Sequence, residues 1–145
     1  MSKTILIPTD LQVGSLNALR SYLVESGPSG TEVVLMHAMF PPDGIADLLF
    51  YSPMRTIEGL MGERFREALA VLRNRFEQQL ERVEFVAFHG RTRSAFEDFA
   101  RARRVQEVHL CAGYTFKLHE RAFDPGPLIR KGDVPVVDHG GAGDL

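Results

Sequence analysis

The run Thr4-Ile5-Leu6-Ile7 stops at Pro8-Thr9-Asp10. An apolar run this short, closed by turn formers, reads as a strand buried on both faces, at the centre of a parallel sheet. Behind it Leu16, Leu19 and Leu23 fall on one helical face with Ser15 placed to cap them, so strand, turn and helix follow in the order of a βαβ unit. Gly27-Pro28-Ser29-Gly30 is a break, and Thr31 to Met39 reads as a second strand, beside the first through a right-handed crossover. Phe40-Pro41-Pro42-Asp43-Gly44 ends regular structure before a short apolar piece from Ile45 to Tyr51. This connection exceeds the usual strand-to-helix loop, and its Leu48, Leu49 and Phe50 are expected to plug into the nearest core. The competing reading is a lid or partner surface over the strand ends.

Ile57, Met61, Phe65, Leu69, Leu72, Phe76 and Leu80 recur every three or four positions, which predicts one long amphipathic helix from Met54 to Leu80 packed on the sheet. Val83 to Phe88 is the third strand, ended by His89-Gly90. Ser94-Ala95-Phe96-Glu97 has capping-box spacing, and Phe96, Phe99 and Ala100 continue one face of the helix it opens. Arg101, Arg103 and Arg104 close that helix, where cations complement the negative end without any ligand; a phosphate patch with Arg91 and Arg93 is the less favoured reading. Val105 to Ala112 is the fourth strand and Gly113 to Asp124 a loop with room for a helical start. Leu128 to Lys131 is a short helix. Val134 to Val137 is the fifth strand, placed at an edge because Pro135 has no amide for a ladder. Asp138 to Leu145, glycine-rich and poor in apolar residues, is expected to be a mobile tail. The fold class is therefore single-domain α/β with an open parallel sheet, a domain over 3–138 and a flexible tail over 139–145.

A chain of 145 residues buries enough surface for a full core. Cys111 is the only cysteine, which rules out an intramolecular disulfide and a Cys-rich zinc site and fits a reducing compartment, so the expected location is cytoplasmic. Met1-Ser2-Lys3 precedes only three aliphatic residues, so neither a signal peptide nor a membrane span is expected. A formal net charge of −2 offers no field for nucleic acid.

Ligands of open α/β sheets sit beyond the carboxyl ends of the strands, which puts Pro8, Thr9 and Asp10 at the expected site. Asp10 is read either as a turn carboxylate or as a partner for ribose hydroxyls. The loop Asp10-Leu11-Gln12-Val13-Gly14 lacks the phosphate cradle of a flavodoxin, and the third strand ends in His89 where a receiver domain has its aspartate. No Gly-x-x-x-x-Gly-Lys-Ser/Thr, no Gly-x-Ser-x-Gly and no zinc-protease helix motif occurs. Cys111 with His109 two residues before it is a conceivable thiolate and base, but side chains two apart on a strand stand about 7 Å apart, and a lone strand cysteine reads first as a small hydrophobe. His37, His89 and His119 show no metal-ligand spacing.

Ile5 to Asp10 followed by Ser15-Leu16-Asn17-Ala18-Leu19, then Glu32 to His37, Gly90, and Leu128 to Val137 together resemble a universal stress protein, over Lys3 to Val137. The resemblance implies strand order 3-2-1-4-5 in a Rossmann-like, flavodoxin-like sheet of the adenine nucleotide alpha hydrolase-like superfamily, and a homodimer through the last strand, here Val134, Val136 and Val137. It also implies ATP or AMP in some members. There the carboxylate after the first strand holds the ribose, backbone at the end of the second meets adenine, and a Gly-x2-Gly-x9-Gly-Ser/Thr loop after the fourth wraps the phosphates. Carried over, this gives Pro8, Thr9 and Asp10, His37 and Ala38, and Cys111, Ala112, Gly113 and Gly126. The glycine loop is not reproduced: counted from Gly113, Phe116 takes the second glycine's place and Pro127 the hydroxyl's, and counted from Ala112 the second becomes Thr115. The reading is a non-enzymatic homodimer of the stress-protein type with a degenerate or altered nucleotide cleft. A working ATP or AMP binder is the alternative, and a small-ligand enzyme using Cys111 or Asp10 the second alternative.

Overall fold

The structure, a computed structural model, describes residues 2–26 and 30–140. The break at Gly27-Pro28-Ser29 and the tail from 141 to 145 lie outside the described residues. Five strands, β1 (Lys3–Pro8), β2 (Thr31–Ala38), β3 (Leu80–Phe88), β4 (Glu107–Cys111) and β5 (Val136–His139), form one sheet in the order β3-β2-β1-β4-β5. Every pairing is parallel. β1 is central, as its unbroken apolar run requires: Ile5, Leu6 and Ile7 are all buried.

Side chains alternate across β1, so the sheet has two cores. Ile5 and Ile7 pack with Leu16, with Leu19 and Leu23 of the helix that follows it, with Ile57 of α3 (Pro53–Leu60) and with Phe65, Leu69 and Leu72 of α4 (Glu63–Arg75). On the other face Leu6, Val34 and Met36 meet Phe96 and Ala100 of α5 (Arg93–Ala102) and Ile129 of α6 (Gly126–Arg130).

Local chemistry moved several boundaries. The helix expected from Met54 to Leu80 is two helices, parted where Met61 turns extended and Gly62 stands ahead of α4. Its apolar period survives the break because both pieces pack on the same sheet face, while Leu80 opens β3. Ser15 caps nothing. A 3-10 turn over Val13–Leu16 leads into α1 (Asn17–Glu25), and the Ser15 hydroxyl donates to the Gln12 carbonyl and meets Thr9 Oγ1 at 2.7 Å. Thr92, not Ser94, caps α5, and Glu97 reaches the Asp133 amide instead of closing a capping box. The loop from Gly113 to Asp124 forms no helical turn.

α2 (Ile45–Leu49) carries the apolar residues expected to plug into core, but Leu49 and Phe50 are 77% and 87% exposed. β5 sits at the edge as Pro135 demanded, yet it begins at Val136 and includes Asp138 and His139. The strand has the expected length but lies two residues later, because the buried His139 ring bonds His109 on β4, which draws the first residues of the expected tail into the sheet. Among the described residues no helix is long and apolar enough to cross a membrane.

Candidate functional site

β1 delivers Pro8, Thr9 and Asp10 to the strand-end cleft. Asp10 Oδ1 accepts the Gln12 amide at 3.0 Å in an Asx turn, and Leu11 between them is buried in the left-handed region (φ 64°) with its amide on Thr9 Oγ1. A β-carbon-bearing residue there stores strain, which the burial of its side chain offsets. Asp10 Oδ2 faces the cleft and is taken: it accepts the Tyr114 hydroxyl at 2.6 Å and the Lys117 amide at 2.8 Å. Its carboxylate is only 4% exposed. Burial first, then the Asp10 bond, pushes the Tyr114 phenol well above its ordinary range, so Tyr114 stays a donor. Gly14 makes room for it, because a β-carbon there would collide with the Tyr114 ring.

β2 delivers His37 and Ala38, and both are covered by the same loop. Residues 121–123 run antiparallel to the end of β2: Phe123 N–H donates to the Ala38 carbonyl at 3.1 Å, Phe40 N–H to the Arg121 carbonyl at 2.9 Å, and Met39 bridges Ala122. Phe123 stacks on Phe40 at 4.4 Å, with the Arg91 guanidinium over the Phe40 ring. His37 Nδ1 donates to the Thr9 carbonyl at 2.9 Å and its Nε2 meets His119 Nε2 at 2.9 Å. Burial, only partly opposed by the Thr9 carbonyl and Asp10, lowers the His37 imidazole below its ordinary value.

Cys111, Ala112, Gly113 and Gly126 flank the cleft on the β4 side. There a cavity of about 210 Å3 opens between Ile7, Ser15, Cys111, Phe116, Pro127 and Arg130, below the range of typical small-molecule sites. Three of the backbone donors beside it are spent. The Ala112 amide donates to the His139 carbonyl, the Tyr114 amide to Cys111 and the Gly126 amide to Asp124 Oδ1 at 2.9 Å, and Pro127 has none. The Asp124 carboxylate therefore occupies the start of α6 where a phosphate would sit. Arg130, the nearest cation lining the cavity, is paired with Asp138 on β5 at 2.6 Å.

His109 does not serve Cys111. Its Nε2 donates to Glu107, itself bridged to Lys3 at 2.7 Å, and its Nδ1 meets His139 at 2.7 Å, while burial pushes the Cys111 thiol up. A raised thiol without a base is a poor nucleophile. Arg93, Arg101 and Arg103 are engaged by Glu97, Asp98 and the Phe99 ring, so the arginine cluster has local partners. Among the described residues no group of three or more His, Cys, Asp or Glu could hold a metal ion. The structure thus brings Asp10, His37 and Ala38 together under one loop; of the residues that meet them, Tyr114, Lys117 and Phe123 were not singled out from the sequence as site residues, and His119 was weighed only as a metal ligand. The ring of Phe116, standing where one counting of the resemblance wants a glycine, was the available signal.

No family model matches the chain, and no curated protein matches it in sequence. Its structure is similar to that of a protein from the universal stress protein family from Burkholderia pseudomallei, with TM-score 0.56 and 17% identity over 94% of this chain and 95% of the other. It is likewise similar to the universal stress protein UspA from Lactobacillus plantarum, with TM-score 0.52 and 14% identity over 94% and 96% of the two chains. At such identities the likeness is one of fold. The expected strand order 3-2-1-4-5 is the observed one, in the fold of the universal stress proteins.

Proposed function

We propose that this chain is a stress protein of the universal type that works without nucleotide: a non-enzymatic homodimer whose strand-end cleft is closed by its own loop after β4. The observation that carries this is the Asp10 carboxylate, whose cleft-facing oxygen is held by the Tyr114 hydroxyl and the Lys117 amide. A ribose at Asp10 must displace both bonds, and adenine at Ala38 must displace Phe123. Bonds to a carboxylate are worth about 1.5 to 3 kcal/mol each, so opening the cleft consumes binding energy worth roughly a hundredfold or more in affinity. Titration calorimetry at neutral pH tests this with ATP, AMP and adenosine. No binding at low micromolar concentration is expected for any of them; low-micromolar ATP binding, tighter than adenosine, would establish the alternative of a working nucleotide binder. The cavity beside Cys111 favours that alternative only for a ligand much smaller than ATP. An enzyme built on Cys111 or Asp10 has no base on the former and no free oxygen toward the cleft on the latter.

Self-association is assigned to β5. The sheet has two edges, and β3 exposes Glu81, Arg82 and Glu84 along its own, a charged border that discourages pairing. β5 presents Val136 and the exposed Val137, with Val134 just ahead of it, and an antiparallel copy across a two-fold axis would cover them. Light scattering should give a dimer for the native chain and a monomer for Val136→Asp; a dimer that persists in the variant moves the interface elsewhere. The compartment proposed is the cytoplasm, on the strength of the single unpaired cysteine.

A further inference from the structure

The loop that covers the cleft is fastened at two places of different chemistry. At one, Asp10 accepts the Tyr114 hydroxyl and the Lys117 amide. At the other, two imidazoles face each other nitrogen to nitrogen at 2.9 Å. The proton positions at the second are dictated by what surrounds them. A carbonyl only accepts, so His37 carries its proton on Nδ1 toward Thr9, which leaves Nε2 as an acceptor; His119 must then donate from Nε2, and its Nδ1 receives the Arg121 amide at 3.4 Å. Every nitrogen of the chain is used, and both rings are neutral. A proton added to His37 goes on Nε2, where it points at the His119 proton. A proton added to His119 goes on Nδ1, where it points at the Arg121 amide.

We propose that the His37–His119 pair is a proton-sensitive latch on the cleft: the bond needs one proton between the two Nε2 atoms, so protonation of both rings sets two N–H groups against each other, breaks the side-chain bond between β2 and the covering loop and frees residues 118–123 from the strand end, while the Asp10 fastening holds. The proposal rests on reading this loop as the cover of the cleft.

The neighbours on every side bear on the balance. The Arg121 guanidinium stands beside His119 and His89 and over the Tyr51 ring, and its Nη1 is buried without a hydrogen-bond partner, so a second cation here meets an uncompensated first one. Tyr51, from the segment before α3, and His89, after β3, bond each other and add no negative charge. Asp10 near His37 and Glu120 near His119 act in the opposite direction, but burial outweighs both, and each imidazole lies below its ordinary value. The sign follows: an imidazole depressed in the closed state contributes stability that is complete above about pH 6.5 and is lost as pH falls below it. The Asp10 fastening uses no imidazole. The loop should therefore open in part, from His119 to Phe123, with Lys117 still in place.

Amide hydrogen exchange of the full chain without nucleotide, read residue by residue by NMR and corrected for intrinsic rates, tests this at pH 7.5 and 5.5. Protection of the Phe123 amide should fall about tenfold if one ring takes up a proton on opening and about a hundredfold if both do. Protection of Lys117 and of Thr9, whose amide is bonded to Met36 on β2, should be unchanged. Ring nitrogen shifts should show His37 protonated on Nδ1 and His119 on Nε2 at pH 7.5, both titrating where Phe123 loses protection. His37→Asn combined with His119→Gln leaves no imidazole at either position and should abolish the response. His139→Gln, which removes the other histidine pair, should retain it. Equal Phe123 protection at both pH values, other tautomers, or joint loss at Thr9, Lys117 and Phe123 would overturn the latch, the last by showing global unfolding. Nucleotide binding in calorimetry at neutral pH would count against the closed cleft and leave these readouts independent.

Discussion

Over the ends of β1 and β2 the chain covers itself with residues 114–123, whereas between β1 and β4 it leaves a cavity of about 210 Å3. The two halves differ in how their polar groups are satisfied. In the covered half, carboxylate, imidazole and strand-end carbonyl are partnered by residues far along the chain. In the open half, the Gly126 and Tyr114 amides are satisfied by near neighbours, Asp124 and Cys111, and the Ala112 amide by the edge strand at His139. The expected site residues of the covered half are held as structural groups. Those expected in the open half, Cys111, Ala112, Gly113 and Gly126, are not buried.

The sharpest break in this comparison is Asp10→Ala. It strips acceptors from the Tyr114 hydroxyl and from the Lys117 and Gln12 amides, and should cost about 3 to 5 kcal/mol in denaturant unfolding. A carboxylate held only for a ligand would cost little in the ligand-free protein. Next is Phe123→Ala, which removes the stack on Phe40 and the contact with Phe88 and should cost about 2 to 3 kcal/mol. On the open side, Arg130→Ala removes an exposed pair with Asp138 and should cost under about 1 kcal/mol. The smallest effect expected is on Cys111: its alkylation should be slow at neutral pH, because burial raises the thiol, and ATP should leave the rate unchanged. Protection by ATP would place nucleotide in the open half.

Much of this was legible in the sequence where periodicity carries the information. The run at Ile5 to Ile7 located the central strand, and the turn formers after it located Asp10 at the cleft, because a strand buried on both faces has few alternatives. His37 and Ala38 came from the resemblance, which places adenine at the end of the second strand. Periodicity misled between Leu60 and Glu63, where the apolar spacing passes through Met61-Gly62 although the backbone does not stay helical. It said nothing about residues 113–125. That segment has no regular pattern, and its partners Asp10, His37 and Ala38 stand far earlier in the chain, so only tertiary structure brings them together. The exposed apolar face of α2 was also unreadable, since a pattern names apolar residues without saying whether anything lies above them.

The central claim is that the covering loop sits in the cleft of the ligand-free protein. Hydrogen exchange of the Lys117 and Phe123 amides at neutral pH reads this directly, because the first is bonded to Asp10 and the second to Ala38. Both should be protected in the protein alone, to the same extent with and without millimolar ATP. Exchange near the rate of an open chain, or protection gained only when ATP is added, would contradict the account and make the cleft a nucleotide site.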